Sequence, residues 1–255
     1  MSELMAWFES GVGGAVGAAL VLVLSYLLGA ISFARIIGSR VIPDEDLDNL
    51  TVPIGETGEQ FRATSVSASV IRLKAGPKWG CLTSILDMLK ATAPVVVLRL
   101  AFPESPIFLY AGAAVVVGHN FPVYYRFKGG RGISSIYGGL FVIDWLAIPV
   151  TTLFGSLISL FVLRYAIVMY FGVTLAMIPW LWFRFADIHY LIYALIVNVC
   201  FWIASIPELT EYIRHLRKGD FDGEYRLIGT GRTMDNAVAR WIRKRREKRV
   251  RRYED

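Results

Sequence analysis

Cysteine is nearly absent: Cys81 and Cys200 are the two in 255 residues. Both stand in or beside apolar runs, and so few thiols build neither a disulfide framework nor a cysteine metal site. Histidine is as sparse, at His119, His189 and His215, too scattered for a metal cluster. No metal or redox cofactor is expected. Positive charge is missing from the whole first stretch. Residues 1–34 contain no Lys or Arg, and Glu3 and Glu9 stand where a secretory signal needs cations. No cleavable leader is therefore expected, and the first apolar run is itself long enough to span. No internal repeat of roughly 20–50 residues is visible, which weighs against solenoids and modestly against inverted-repeat transporters.

What is present is apolar. The chain is 55% hydrophobic with a mean hydropathy of +0.49, the composition of a membrane protein rather than a soluble domain. A spanning helix needs about 20 mostly apolar residues. Residues 12–37, 81–101, 107–125, 165–183 and 188–206 supply such runs. The stretch 132–163 is too long for one crossing, and Asp144, Trp145 and Pro149 interrupt it, so it is read as two helices, 132–143 and 146–163. The expected fold is all-α and integral to the membrane, with seven transmembrane helices in residues 1–206 and a basic tail over 207–255.

Charge sets the orientation. The 39–80 connection carries Arg40, Arg62, Arg72, Lys74 and Lys78, and the next, Phe102 to Pro106, carries no cation. Arg126, Lys128 and Arg131 follow, and then a cation-free Asp144–Trp145 turn. The tail holds fourteen of the 27 Lys and Arg residues. Basic connections favour the cytoplasm, which puts the N-terminus outside and the C-terminus inside. The 39–80 segment, acidic from Pro43 to Asp48 and then rich in Ser and Thr, is expected to be a cytoplasmic loop with some helix. The cations around Trp241 fit a helix lying on anionic lipid headgroups; base-reading or stacking motifs for nucleic acid are missing.

The most specific segment runs from Gly118 to Gly132, GHNFPVYYRFKGGRG. Gly129, Gly130 and Gly132 lie beside Lys128 and Arg131, immediately before an apolar helix. Glycines admit an anion close to the backbone, the helix start offers free N–H groups, and two cations add charge-assisted contacts. A phosphate suits such a turn. The same glycines would equally serve a tight positive-inside turn. Asp87 and Lys90 stand one turn apart on an apolar helix, either paired with each other or with Lys90 facing a phosphate. His119 precedes the turn and is expected to orient it by hydrogen bonding, with a role as base the alternative. Asn198 is expected to bond a neighbouring helix.

The Gly118–Gly132 segment resembles the second signature of the bacterial acyl-phosphate:glycerol-3-phosphate acyltransferases of the PlsY type. Gly76 to Gly80 followed by Leu86-Asp87-Met88-Leu89-Lys90, and Leu28-Gly29-Ala30-Ile31-Ser32-Phe33, resemble two further stretches of that family. The resemblance covers about residues 20–140. It implies a multi-pass enzyme of the bacterial inner membrane that uses acyl phosphate to acylate glycerol 3-phosphate, giving lysophosphatidate at the cytoplasmic face. It implies that Arg131, Lys128 and Arg72 carry the chemistry, with Gly129, Gly130, Gly132, Lys90, Ser134 and His119 at the phosphate site. The chain departs from the family elsewhere. The first signature, GSGN-x-GATN, is reduced to Thr57–Ser65 with only Ala63-Thr64 retained and Glu59 added. Its second-signature lysine is Arg131, a planar fork in place of a point charge. The serine-bearing stretch after Arg164-Tyr165 is Ala166-Ile167-Val168. The His and Asn of the third signature are Leu209 and Tyr212. These departures keep two alternatives open: another phosphorylated acceptor, or a non-catalytic membrane scaffold.

Overall fold

The computed structural model describes residues 11–53, 60–62, 65–161 and 166–218. Helix α1 (Gly11–Ala30) breaks at Ile31–Ser32 and resumes as α2 (Phe33–Val41). A hairpin of β1 (Thr51–Pro53) and β2 (Gln60–Arg62) follows, pairing Thr51 with Arg62 and Val52 with Phe61. Then come α3 (Ala68–Ala75), α4 (Pro77–Ala101), α5 (Ile107–Asn120), a 3-10 turn at Val123–Tyr125, α6 (Ile133–Ile143), α7 (Ala147–Phe161), α8 (Ala166–Phe185) and α9 (Ile188–Lys218).

The helical class expected from hydropathy is what the structure shows, with the short hairpin as the exception within 39–80. Among the described residues, five stretches are long and apolar enough to cross a membrane: 14–41, 77–101, 107–125, 168–185 and 188–210. Helices α6 and α7, where two further spans are expected, are shorter. The first expected span is interrupted because Ser32 caps a new helix: its Oγ accepts the Arg35 backbone N–H at 3.3 Å. The last runs on through Pro207 to Lys218, past the expected end at 206.

Burial is arranged for lipid. Leu24, Val97, Leu100, Phe141, Leu153 and Phe183 face outward, with Leu100 79% and Phe183 84% exposed. The interior instead holds Thr83, Thr151 and Ser205, each donating to the carbonyl four residues back (Trp79, Ala147 and Phe201), so their polarity is satisfied within the helix. Asn198 likewise donates to Ala194 O on its own helix, whereas a bond to another helix was expected. The main core joins Val95, Leu109, Val116, Ile136, Leu140, Met177, Leu181, Tyr193 and Phe201. A second, smaller core of Ile37, Leu50, Val66, Val70 and Ile71 seats α2 and α3 against the connecting loop.

Small residues set the helix spacing, as expected where lipid supplies no hydrophobic drive for association. Gly29 and Gly118 bring α1 onto α5, Gly138 lies on the Met88 carbonyl of α4, and Gly155 meets Gly172 across the α7–α8 pair. A side chain at Gly155 would collide with the Met169 carbonyl and with Val173. Gly155→Leu is therefore expected to cost at least the about 1–3 kcal/mol of an overpacked core, read as a lower thermal unfolding midpoint in detergent. An unchanged midpoint would contradict this packing.

Candidate active site

The Gly118–Gly132 segment turns from the end of α5 to the start of α6, and its backbone folds back on α5. The Gly130 N–H donates to the His119 carbonyl at 3.1 Å, Lys128 N–H to Tyr125 O at 3.0 Å, and Phe127 N–H to Pro122 O at 3.0 Å. Tyr26 of α1 donates to the Phe121 carbonyl at 2.8 Å, fixing the turn to the first helix. A side chain at Gly129 would strike the His119 and Asn120 carbonyls, and one at Gly130 the His119 ring. Gly132 is left-handed (φ 82) and forms the N-cap of α6 against the Asn120 amide. These glycines thus serve a close backbone approach. Two non-glycine residues, Arg126 and Phe127, are also left-handed (φ 52 and 60).

Under the turn lies a buried polar centre. Lys90 Nζ is 2.8 Å from Asp87 Oδ1, donates to the Ile31 carbonyl at 2.7 Å, and lies 2.9 Å from His119 Nδ1. The ammonium group thus meets a carboxylate, a backbone carbonyl and a ring nitrogen inside the protein. The break between α1 and α2 frees the Ile31 carbonyl for this contact. His119 has its ring in the buried centre, and its backbone carbonyl accepts from the Gly130 N–H of the turn. The Asp87 backbone carbonyl also accepts from Ser135 Oγ at 3.3 Å.

The cations of the turn part to opposite sides. Arg131 points toward the last helices: its Nη1 lies 3.2 Å from Glu208 Oε1 of α9, and its guanidinium carbon 5.4 Å from the Tyr170 ring centre of α8. Arg126 and Lys128 instead line a polar cleft of about 350 Å³ with Arg35, Asp48, Tyr124 and Tyr125. Arg35 Nη2 contacts Asp48 Oδ1 at 2.7 Å, and its guanidinium lies 4.9 Å from the Tyr125 ring centre.

The remaining site candidates are dispersed. Ser134 is half-buried in the first turn of α6. Arg72 sits in the last turn of α3, its stem against Gly80 at the start of α4, and is not among the residues lining the cleft. The Thr57–Glu59 and Ala63-Thr64 parts of the first signature, Arg164-Tyr165, and the tail beyond residue 218 lie outside the described residues, as do the side chains of Tyr212 and His215. Sequence reasoning missed Arg35, Asp48 and Glu208. A signal existed for Arg35, the first cation of the chain, standing three residues after a capping serine.

A bundle with an apolar exterior, a buried ion pair and a glycine turn that extends cations to two sides defines an integral, multi-pass helical membrane protein. Residues 19–219 match the glycerol-3-phosphate acyltransferase family model, and the chain belongs to that family. A glycerol-3-phosphate acyltransferase of Aquifex aeolicus is 33% identical over 56% of this chain and 66% of its own length. One from Mycoplasma mycoides is 28% identical over 74% of this chain and 78% of its own. The Pseudomonas putida relative is 36% identical, but the match spans little more than half of it, 58%. The crystal structure of PlsY, an integral membrane glycerol 3-phosphate acyltransferase in its glycerol 3-phosphate form, superposes with a TM-score of 0.61 at 26% identity, over 80% of this chain and 93% of that one. Its lysophosphatidic acid form gives 0.59.

The buried centre makes a sharp energetic demand. Removing one partner of a buried pair costs about 3–5 kcal/mol because the other charge is left uncompensated. Asp87→Leu is expected to abolish accumulation of folded protein, and Asp87→Leu with Lys90→Met to recover much of it, measured by monodisperse yield and thermal unfolding in detergent. A double variant no better than the single would show that the pair is not the reason.

Proposed function

We propose that this protein acylates glycerol 3-phosphate with acyl phosphate, giving lysophosphatidate at the cytoplasmic face of a bacterial inner membrane. The observation that carries this reading is the glycine turn, which presents Arg131 on one side and Arg126 with Lys128 on the other. A reaction between two phosphorylated substrates needs two anion sites close together. The named relatives act on the same acceptor, which supports the choice of glycerol 3-phosphate. In this reading α6 and α7 complete seven crossings, the N-terminus lies outside, and the C-terminal tail rests on anionic lipid headgroups in the cytoplasm.

The chemistry asks little covalent work of the protein. A glycerol hydroxyl oxygen attacks the acyl carbonyl carbon, the carbonyl electrons move to oxygen, and their return expels inorganic phosphate. The departing phosphate takes the hydroxyl proton, so atoms and charge balance. Catalysis is then chiefly orientation, together with cations and N–H groups aimed at the phosphates and the transient oxyanion. Arg131 holds the phosphate on the side of the last helices, where the acyl chain enters among the spans. Lys128 holds the phosphate on the cleft side, with Gly129, Gly130, Gly132 and Ser134 at the turn between them and Arg72 adding positive potential from α3. Lys90 and His119 act beneath the turn, holding its shape. No cofactor takes part.

Arg131→Ala is expected to lower lysophosphatidate formation by about 100-fold or more, with thermal unfolding unchanged within a few degrees. The assay is transfer from palmitoyl phosphate to labelled glycerol 3-phosphate by purified protein in lipid. Undiminished turnover in this variant, or no product from the folded parent protein, would overturn the reading.

A further inference from the structure

The cleft on the first-helix side of the turn contains an ion pair whose two members are held very differently. Arg35 is anchored: its backbone N–H is capped by Ser32, its side chain is only 13% exposed, and Tyr125 lies against its guanidinium. Asp48 is the solvent-side partner, 55% exposed, on a loop turn in which its own N–H donates to Asp46 Oδ1 at 2.9 Å. Among the described residues, the cleft is lined by three cations, Arg35, Arg126 and Lys128, against the one carboxylate of Asp48. A dianion would balance that excess, and a tetrahedral phosphate offers several oxygens to the forked guanidinium donors.

We propose that Arg35 is a phosphate-binding residue for glycerol 3-phosphate, and that Asp48 is an internal stand-in which the substrate phosphate displaces. The proposal rests on the acyltransferase reading and names one of its two anion sites. Glycerol 3-phosphate is the substrate that suits the cleft. The lining is Arg, Lys, Asp and Tyr, which offers hydrogen bonds to a polyol and no apolar path for an acyl chain, whereas the Arg131 side faces Tyr170 and the helices of the bundle.

The two members of the pair then have opposite effects. In a purely structural ion pair, loss of either partner disturbs the cleft in the same sense. Here the loss of Arg35 removes a phosphate contact, and the loss of the Asp48 charge removes a competitor. The experiment is equilibrium binding of labelled glycerol 3-phosphate to the full chain in phosphatidylcholine nanodiscs, alongside steady-state kinetics. Arg35→Gln is expected to weaken binding by roughly 10–100-fold. Asp48→Asn is expected to tighten it by about threefold. The KM for glycerol 3-phosphate should follow in both cases, and that for palmitoyl phosphate should not. Both variants shifting binding in one direction, neither shifting it, or a parent protein that does not bind glycerol 3-phosphate would each overturn the proposal. Should Arg35→Gln not fold, Asp48→Asn decides alone: tightening supports the proposal, and unchanged or weaker binding overturns it. Binding with these opposite shifts but without turnover would remove the acyltransferase reading and leave the anion site standing.

Discussion

The Lys90 ammonium group ties together three parts of the chain that sequence order keeps apart. It sits on α4, takes the Ile31 carbonyl from the break between α1 and α2, and meets His119 at the end of α5, while Asp87 on its own helix balances its charge. A charge buried among apolar helices is costly unless it is paired and fully hydrogen-bonded. That condition constrains the surroundings: the first helix must break where it does, and His119 must lie where its ring reaches Lys90 and its carbonyl reaches Gly130. The turn above inherits its geometry from this centre.

From there the site is built by exclusion. Glycines at 129 and 130 are required because the backbone of the turn rests on the His119 carbonyl and ring, and any side chain would separate them. With the turn pressed down in this way, its long cations have two directions in which to extend. Arg131 goes toward α8 and α9, Arg126 and Lys128 toward α2 and its loop. Each side has its own carboxylate, Glu208 on one and Asp48 on the other. One short segment thus makes two cationic faces close together, and in the proposed reaction these hold the two phosphorylated partners.

Much of this architecture was readable from composition and spacing. The long apolar runs predicted α1, α4, α5, α8 and α9 because membrane burial acts on each helix separately and needs no knowledge of its neighbours. Asp144 and Trp145 marked the corner between α6 and α7, where Asp144 now accepts from Trp180 Nε1 at 2.9 Å. The glycine turn stood out through its cluster of three glycines and two cations. The 39–80 segment was less readable. Its hairpin is only three residues per strand, and its helix α3 is seated by a small core shared with α2 rather than by a strong pattern of its own.

What the sequence by itself determined is the helical membrane class, the position of the five long apolar helices and the presence of a glycine-rich cationic turn. Those follow from local hydropathy, glycine content and charge. Only the tertiary structure decided where each cation points. Lys90 could have paired within its helix or faced a phosphate; a carbonyl 59 residues earlier and a histidine 29 residues later settle that it is enclosed. Arg35, marked in the sequence only as the first cation after a capping serine, comes to line the cleft because α2 carries it against the Tyr125 ring. The direction of a long side chain depends on how its helix is rotated and what packs beside it, and both are fixed by contacts between distant parts of the chain.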